Sequence, residues 1–193
     1  TQATCAADGL TYTVSVTTDA VSISADKGTV TGLTVTGVPS GQTVTITATS
    51  AAGCKATTAV TQNCTTPKGS LGDYVWKDAN NDGIQQNTEA PVKGVILQLL
   101  QGTTVVATDT TDAEGLYLFP NLSSGTSQVK ILTGSLPAGC SLSTKQNLGG
   151  DDAKDSDFDP TTGLSQTVII NALGAGIAKN NLTIDAALVV PCV

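Results

Sequence analysis

The first third of the chain alternates polar and apolar residues with a period of two. This pattern is typical of half-buried β-strands. Thr and Ser alternate there with Val, Ile and Tyr, and turn-forming Gly, Pro and Asp residues separate the stretches. The many β-branched residues would lose χ1 freedom in a helix. The pattern therefore predicts an antiparallel β-sandwich over residues 1–64. The clearest strand candidates are 11–17, 34–36 and 43–48.

The remainder of the chain also predicts strands rather than helices. Segment 172–178 contains too much Gly to favour a helix. Residues 65–70 are typical of a short linker. The fold class expected is therefore all-β, with two tandem antiparallel β-sandwiches at 1–64 and 71–193. The strand candidates in the second sandwich are 95–100, 104–108, 116–119, 128–132, 167–170 and 182–188.

Composition excludes several classes of function. The chain has no His and no Met, and its nine cationic residues are all Lys. Without His, it cannot form a Ser–His–Asp triad or a His-containing zinc site, and no enzyme is predicted. The net charge of −7 argues against nucleic acid as a partner. No apolar run reaches the ~18 residues of a membrane span.

Five cysteines stand singly along the sequence, at positions 5, 54, 64, 140 and 192. No CxxC pair suggests zinc or redox chemistry, so structural disulfides in a secreted protein are expected. An odd number leaves one thiol free, bonded to another chain, or bonded to a segment outside this sequence. The sequence leaves the connectivity open. Because it begins at Thr1 and lacks Met, we interpret the chain as a processed product or a fragment.

The strongest chemical signal is the segment 78–89. It matches the calcium-loop pattern D-x-[DN]-x-[DN]-G-x5-E at every defined position. Calcium binds six to eight hard oxygens, and Gly83 permits the sharp turn that gathers them. Gln86 lies where a water-bridged ligand is expected, and the alternative interpretation is a solvated Asx-rich turn. The predicted ligands are Asp78, Asn80, Asp82, the carbonyl of Ile84, and Glu89.

A second acidic segment runs from Gly149 to Asp159. Its five carboxylates within nine residues repel one another unless a cation lies between them. We therefore predict a second calcium site at Asp151, Asp152, Asp155 and Asp157, although solvated acidic loops are also common. Asp73 and Asp112 are weaker candidates, and the run around Asp112 is more typical of a hairpin turn.

These motifs resemble a known family. The run 72–76, the loop 78–89, the segment 110–122 and the acidic run 151–157 resemble the calcium-binding B repeat of staphylococcal Sdr-type surface adhesins. The resemblance covers about residues 69–189. It implies a prealbumin-like, Cna-B-type sandwich that binds several calcium ions and acts as a rigid stalk on the cell surface. Cys140 and Cys192 depart from the family pattern.

The segment 1–64 resembles, more loosely, Ig-like repeats of Bacteroidetes surface proteins, through residues 5–14 and 53–54. Together the two resemblances imply an extracellular or cell-surface structural module, a subunit of a stalk or fibre rigidified by calcium. Its expected partners are copies of itself or adjacent repeats. The apolar tail 186–193 could pair with a neighbouring sheet edge, and Cys192 could bond to the next unit, or the tail could simply complete its own domain.

An alternative function is that of an adhesin whose loops bind a host protein, a glycan or another surface ligand. Loops of β-sandwiches often carry such sites. Aromatic residues make up only 3% of the chain, so aromatic anchors for a ligand are scarce.

Overall fold

The computed structural model describes residues 1–190, and the described chain is all-β, as predicted. It divides into two compact units, Thr1–Pro67 and Lys68–Val193. Cys192 and the end of the apolar tail lie outside the described residues. Within residues 1–190, no helix has the length and apolar character needed to cross a membrane.

The first unit contains seven strands in two sheets. One sheet has the order β1-β2-β5-β4 and the other the order β3-β6-β7, with all pairings antiparallel. The strands are β1 (Gln2–Cys5), β2 (Thr11–Ser15), β3 (Ser22–Ala25), β4 (Thr29–Thr31), β5 (Thr34–Pro39), β6 (Thr43–Thr49) and β7 (Lys55–Thr61).

The core of the first unit follows directly from the period-two pattern. Tyr12 and Val14 of β2 point inward, as do Val44 and Ile46 of β6, while the threonines between them face outward or lie at the edge. The Tyr12 hydroxyl lies 2.7 Å from the carbonyl oxygen of Gln42, so its polar end is satisfied inside the core.

A disulfide joins the two ends of the first unit. Cys5 at the end of β1 is bonded to Cys64, 59 residues later. Cys64 also packs against the hydrophobic core. Cys54 is exposed and forms no disulfide within the described residues. The bond therefore closes a loop that contains nearly the whole unit.

Up to residue 190, where the described part of the chain ends, the second unit contains nine strands. One sheet has the order β10-β9-β12-β14 and the other the order β11-β8-β16-β13, with β15 also paired to β8. The strands are β8 (Gly69–Asp78), β9 (Ile96–Gln101), β10 (Thr104–Thr110), β11 (Leu116–Leu122), β12 (Gly125–Ile131), β13 (Ser141–Leu142), β14 (Val168–Ile170), β15 (Asn180–Leu182) and β16 (Ala186–Val189).

Strand β8 organises this unit. Its residues Leu71 and Val75 are fully buried in the core between the sheets. On its opposite face Trp76 is also fully buried, and its ring stacks with that of Tyr74 at a centroid distance of 6.3 Å. Pro91 forms an isolated bridge with Trp76. The loop that follows β8 thus folds back over the strand from which it leaves.

Two expectations for the second unit need correction. The pairings of β15 and β16 with β8 are parallel, so this unit is a mixed sandwich rather than a purely antiparallel one. The single strand expected over 182–188 is divided into β15 and β16. The pairing register with β8 shifts by one residue between β15 and β16, and in this gap the side chain of Asp185 accepts the backbone N–H of Tyr74 at 2.9 Å.

Loss of the Cys5–Cys64 disulfide should destabilise the first unit alone. Releasing a loop of this length increases the entropy of the unfolded chain, and we expect a cost of about 2–5 kcal/mol for the double substitution of both cysteines by Ser. Calorimetry of the intact chain under non-reducing conditions measures the effect. Trp76, the single tryptophan, lies in the second unit, so its fluorescence melt should not change.

Cys54→Ser is the matched control, because Cys54 is exposed. It should leave both transitions in place. An unchanged first transition in the Cys5/Cys64 double variant would contradict the stabilising role of this bond.

Candidate metal centre

The first predicted loop begins where β8 ends. Asp78 is the last residue of that strand and is buried. Its Oδ1 accepts the N–H of Asp82 at 3.2 Å, and its Oδ2 accepts the N–H of Gly83 at 2.8 Å. Gly83 has a φ of 76°, in the left-handed region that favours glycine. The Asp78 carboxylate therefore holds the turn that the sequence predicted.

Glu89 closes the same loop from its far end. Its Oε1 accepts the N–H of Ala79 at 2.8 Å, and its Oε2 accepts the N–H of Gln86 at 3.0 Å. The side chain of Gln86 donates to both carboxylate oxygens of Asp82, at 3.1 and 2.9 Å. The first and last predicted ligands are thus joined by short hydrogen bonds to the backbone between them.

Asn80 and Ile84, two further predicted ligands, lie within the same loop. The Oδ1 of Asn80 accepts the N–H of Asp82 at 3.1 Å, and the N–H of Ile84 donates to Asp82 at 2.8 Å. Among the described residues, however, the three carboxylates of this loop do not gather within 4.8 Å of one another. Their oxygens instead accept backbone N–H groups and, at Asp82, also the side-chain amides of Asn80 and Gln86.

The second acidic segment does bring carboxylates together. Oxygens of Asp152, Asp155 and Asp157 lie within 4.8 Å of one another. Asp155 and Asp157 are buried, with 4% and 3% of their surface exposed, whereas Asp152 is exposed. The hydroxyl of Thr183 donates to Asp152 at 2.8 Å. We call these three residues the acidic triad.

Asp185 is a fourth carboxylate at this place, and the sequence analysis missed it. It is fully buried, and its backbone N–H donates to Asp157 Oδ2 at 2.7 Å. Its Oδ1 accepts the N–H of Tyr74, while its Oδ2 has no hydrogen-bond partner. The Oδ1 of Asp155 is likewise buried without a partner. A signal did exist, because Asp185 is the one charged residue within the apolar run 182–188.

Burial and mutual repulsion dominate the electrostatics of this cluster. Burial, together with the charges of Asp73 and Asp157, raises the pKa of Asp185 to about 9. Burial, with added repulsion from Asp155 and Asp152, raises the pKa of Asp157 to about 8. The pKa of Asp155 is also raised, first by burial and then by its acidic neighbours. No lysine in the described residues forms an ion pair with these buried carboxylates.

The other predicted ligands lie outside the triad. Asp151 is exposed and forms an ion pair with Lys154 at 3.0 Å. Asp73 is half-buried on β8, and burial raises its pKa. It faces Asp185 closely enough to raise the pKa of that residue too. Asp112 accepts the N–H groups of Glu114 and Leu116 through one oxygen, which is the arrangement of a hairpin turn.

The first loop and the acidic segment contact each other directly. Ile84 forms an isolated antiparallel bridge with Asp155. The N–H of Gln85 donates to the carbonyl of Lys154 at 2.6 Å, and the ammonium of Lys145 donates to the carbonyl of Asn81 at 2.6 Å. The two segments, which were predicted as two separate calcium sites, therefore form one region of the second unit.

The donor atoms of this region are all oxygens. Carboxylates, amides and backbone carbonyls are the ligands of hard divalent cations such as Ca²⁺ and Mg²⁺. The unpartnered oxygens of Asp155 and Asp185 are the places where such a cation would relieve both burial and repulsion. The residues present therefore fit a hard cation.

Known proteins are similar in sequence to the second unit. Residues 69–188 match the family model of the SdrD B-like domain. Serine-aspartate repeat-containing protein F of Staphylococcus epidermidis (strain ATCC 12228 / FDA PCI 1200) is 44% identical over 93 residues, which is 48% of this chain and 6% of the relative. Serine-aspartate repeat-containing protein C of Staphylococcus aureus (strain Newman) is 43% identical over 121 residues, 62% of this chain and 12% of the relative.

Solved structures show weaker likeness. The pilus 2b backbone protein of group B streptococcus is 19% identical with a TM-score of 0.35, over 81% of this chain and 56% of that one. The TIE protein of Bacillus anthracis is 12% identical with a TM-score of 0.42, over 94% of this chain and 37% of that one.

The chain spans a small fraction, 6% and 12%, of the two curated relatives. The family nevertheless covers most of the second unit, including both loops and Asp185. Its members are extracellular or cell-surface proteins, and so is this chain. Through residues 69–188, the chain belongs to the SdrD B-like domain family.

Proposed function

We propose that this chain is a structural module of an extracellular stalk or fibre, and that bound Ca²⁺ rigidifies its second unit. The observation that carries the proposal is the group of buried carboxylates Asp155, Asp157 and Asp185, two of which keep an unpartnered oxygen. Buried charges without a counter-charge are costly, and a divalent cation removes that cost.

The choice of Ca²⁺ rests on the donor set. Calcium accepts six to eight oxygens in flexible geometry, whereas Mg²⁺ demands near-octahedral geometry and retains several waters. Softer transition metals favour imidazole or thiolate ligands. The cluster contains neither, since the chain has no His and the grouped ligands are all aspartates. Asp152, Asp155 and Asp157 would hold one ion, with Asp185 buried beside them.

A second ion would bind in the first loop through Asp78, Asn80, Asp82, the carbonyl of Ile84, and Glu89. These carboxylates accept backbone N–H groups, which keep the loop folded. Binding would exchange part of those hydrogen bonds for ligation. The loop already has its tight turn at Gly83, so little backbone ordering would remain to be done.

Rigidity would follow from where the ligands lie. They come from the end of β8 and from the acidic segment, and Asp185, beside them, immediately precedes β16. Ions at this place would cross-link parts of the chain that are far apart in sequence. A stalk needs resistance to local unfolding, and a ligand that binds only the folded state supplies it. Adjacent repeats or other copies of the chain would be the partners in such a stalk.

Calcium should raise the melting midpoint of the second unit. At a free concentration about a hundredfold above Kd, binding stabilises the folded state by about 2.7 kcal/mol, which corresponds to roughly 10 °C for a unit of this size. The measurement is the Trp76 fluorescence melt in Ca²⁺ and in EGTA. Asp155→Asn should lose most of the shift while changing the EGTA melt little, since the buried Oδ1 of Asp155 has no hydrogen-bond partner.

Glu114→Gln is the matched control, because it removes one exposed charge from the same unit. It should keep the full calcium shift. Equal melts of the wild-type chain in Ca²⁺ and EGTA would remove calcium from the proposal. A larger shift in Mg²⁺ than in Ca²⁺ would contradict the choice of Ca²⁺ as the bound ion.

The metal-free second unit should lose stability as pH rises. The folded pKa values of Asp157 and Asp185, about 8 and about 9, lie above those of an unfolded chain. Their contribution is therefore complete below the unfolded pKa, near ~4, and is lost as pH rises through the folded values. Calcium binding releases these protons, so calcium affinity should increase over the same range.

The Trp76 melt in EGTA, measured from about pH 5 to about pH 9, tests this expectation. The midpoint should fall with pH in the wild-type chain, and fall less in Asp185→Asn. A midpoint that stays level or rises would show that the buried carboxylates are not protonated in the metal-free fold.

A further inference from the structure

We infer that Lys145 is the residue that positions the first loop, 78–89, for its cation. This inference rests on the proposed function of that loop. The ammonium of Lys145 donates to the carbonyl oxygen of Asn81 at 2.6 Å. Asn81 lies between two predicted ligands, Asn80 and Asp82, and has a left-handed φ of 55°. A non-glycine residue in that region needs support from its surroundings.

The two halves of the loop are held from outside by different residues. Ile84 and Gln85, in the second half, are held by Asp155 and Lys154. For the described residues 79–83, in the first half, the hydrogen bond from Lys145 is the one that reaches outside the loop. The remaining hydrogen bonds of that half are made to other loop residues. Lys145 therefore supplies the external anchor for the segment that contains Asn80 and Asp82.

Lys145 is itself well placed to act as an anchor. A Cβ added to Gly83 would lie 2.7 Å from both the Cβ and the carbonyl oxygen of Lys145, so the two backbones are in close contact. The N–H of Lys145 donates to the hydroxyl of Ser143 at 3.1 Å. Ser143 is buried, and its own N–H donates to the carbonyl of Ala187 in β16 at 2.9 Å. Lys145 thus connects the loop, through Ser143, to the sheet that contains β8 and β16.

The carbonyl that Lys145 holds is not among the predicted ligand oxygens, which belong to residues 78, 80, 82, 84 and 89. The ammonium therefore fixes the loop without taking the place of the cation. It does bring a like charge towards the site. Lys145 is exposed, however, so water and salt screen that repulsion. Ordering the backbone before binding is the larger effect, because each residue left free must be fixed when the ion binds.

The test is a Ca²⁺ titration by calorimetry of the full chain in the Asp155→Asn background, where the heat reports the first loop. Lys145→Met should weaken binding about tenfold, the loss expected for one hydrogen bond to a charged group. Lys145→Arg should restore affinity to within about twofold, since it keeps a charged donor. Lys145→Gln, which keeps a donor without the charge, should lie between them.

Lys93→Met is the matched control, because Lys93 is exposed in the same unit and its substitution removes the same charge. It should leave affinity unchanged. The Trp76 melt in EGTA should be the same for all variants, which separates positioning from a general loss of stability. Affinity in Lys145→Met equal to or tighter than that of its parent overturns the inference alone. Absence of calcium binding in the wild-type chain overturns the proposed function and this inference together.

Discussion

The second unit is governed by a concentration of negative charge in its interior. Asp155, Asp157 and Asp185 are buried next to one another, and no lysine of the described chain pairs with them. Hydrogen bonds from the backbone at Tyr74 and Asp185 satisfy part of their oxygens. They do not satisfy all, and protonation or a bound cation must remove the remaining charge. The local fold of three separate chain segments depends on how that charge is neutralised.

Strand β8 explains why these segments meet. It pairs with β11 on one side and, in parallel, with β15 and β16 on the other. Parallel strands need a crossover connection, so the chain crosses the unit before its last strands pair with β8, the first strand of the unit. The return brings Asp185 next to Tyr74, and the acidic segment next to the loop that leaves β8. A purely antiparallel meander would not bring the start and the end of the unit together in this way.

The sequence was sufficient for the local features of the structure. Period-two alternation predicted strands such as β2 and β6, and the spacing of acidic residues around Gly83 predicted the first loop and its turn. It was not sufficient for features that depend on long-range pairing. The parallel register of β16 and the burial of Asp185 arise from contacts with β8, more than a hundred residues earlier. Likewise, Asp151 and Asp155 look equivalent in sequence, but one pairs with Lys154 in solvent and the other is buried.

The covalent bond between Cys5 and Cys64 gives the first unit a form of stability that the second does not share within the described residues. One unit is held by a bond that only a reductant can break, while the proposed clamp of the other responds to the ionic composition of the medium. In a medium poor in divalent ions, the first unit would keep its stiffness and the second would become compliant. A chain built in this way would have regions of fixed and regions of adjustable elasticity, so its response to tension would vary with the surrounding fluid.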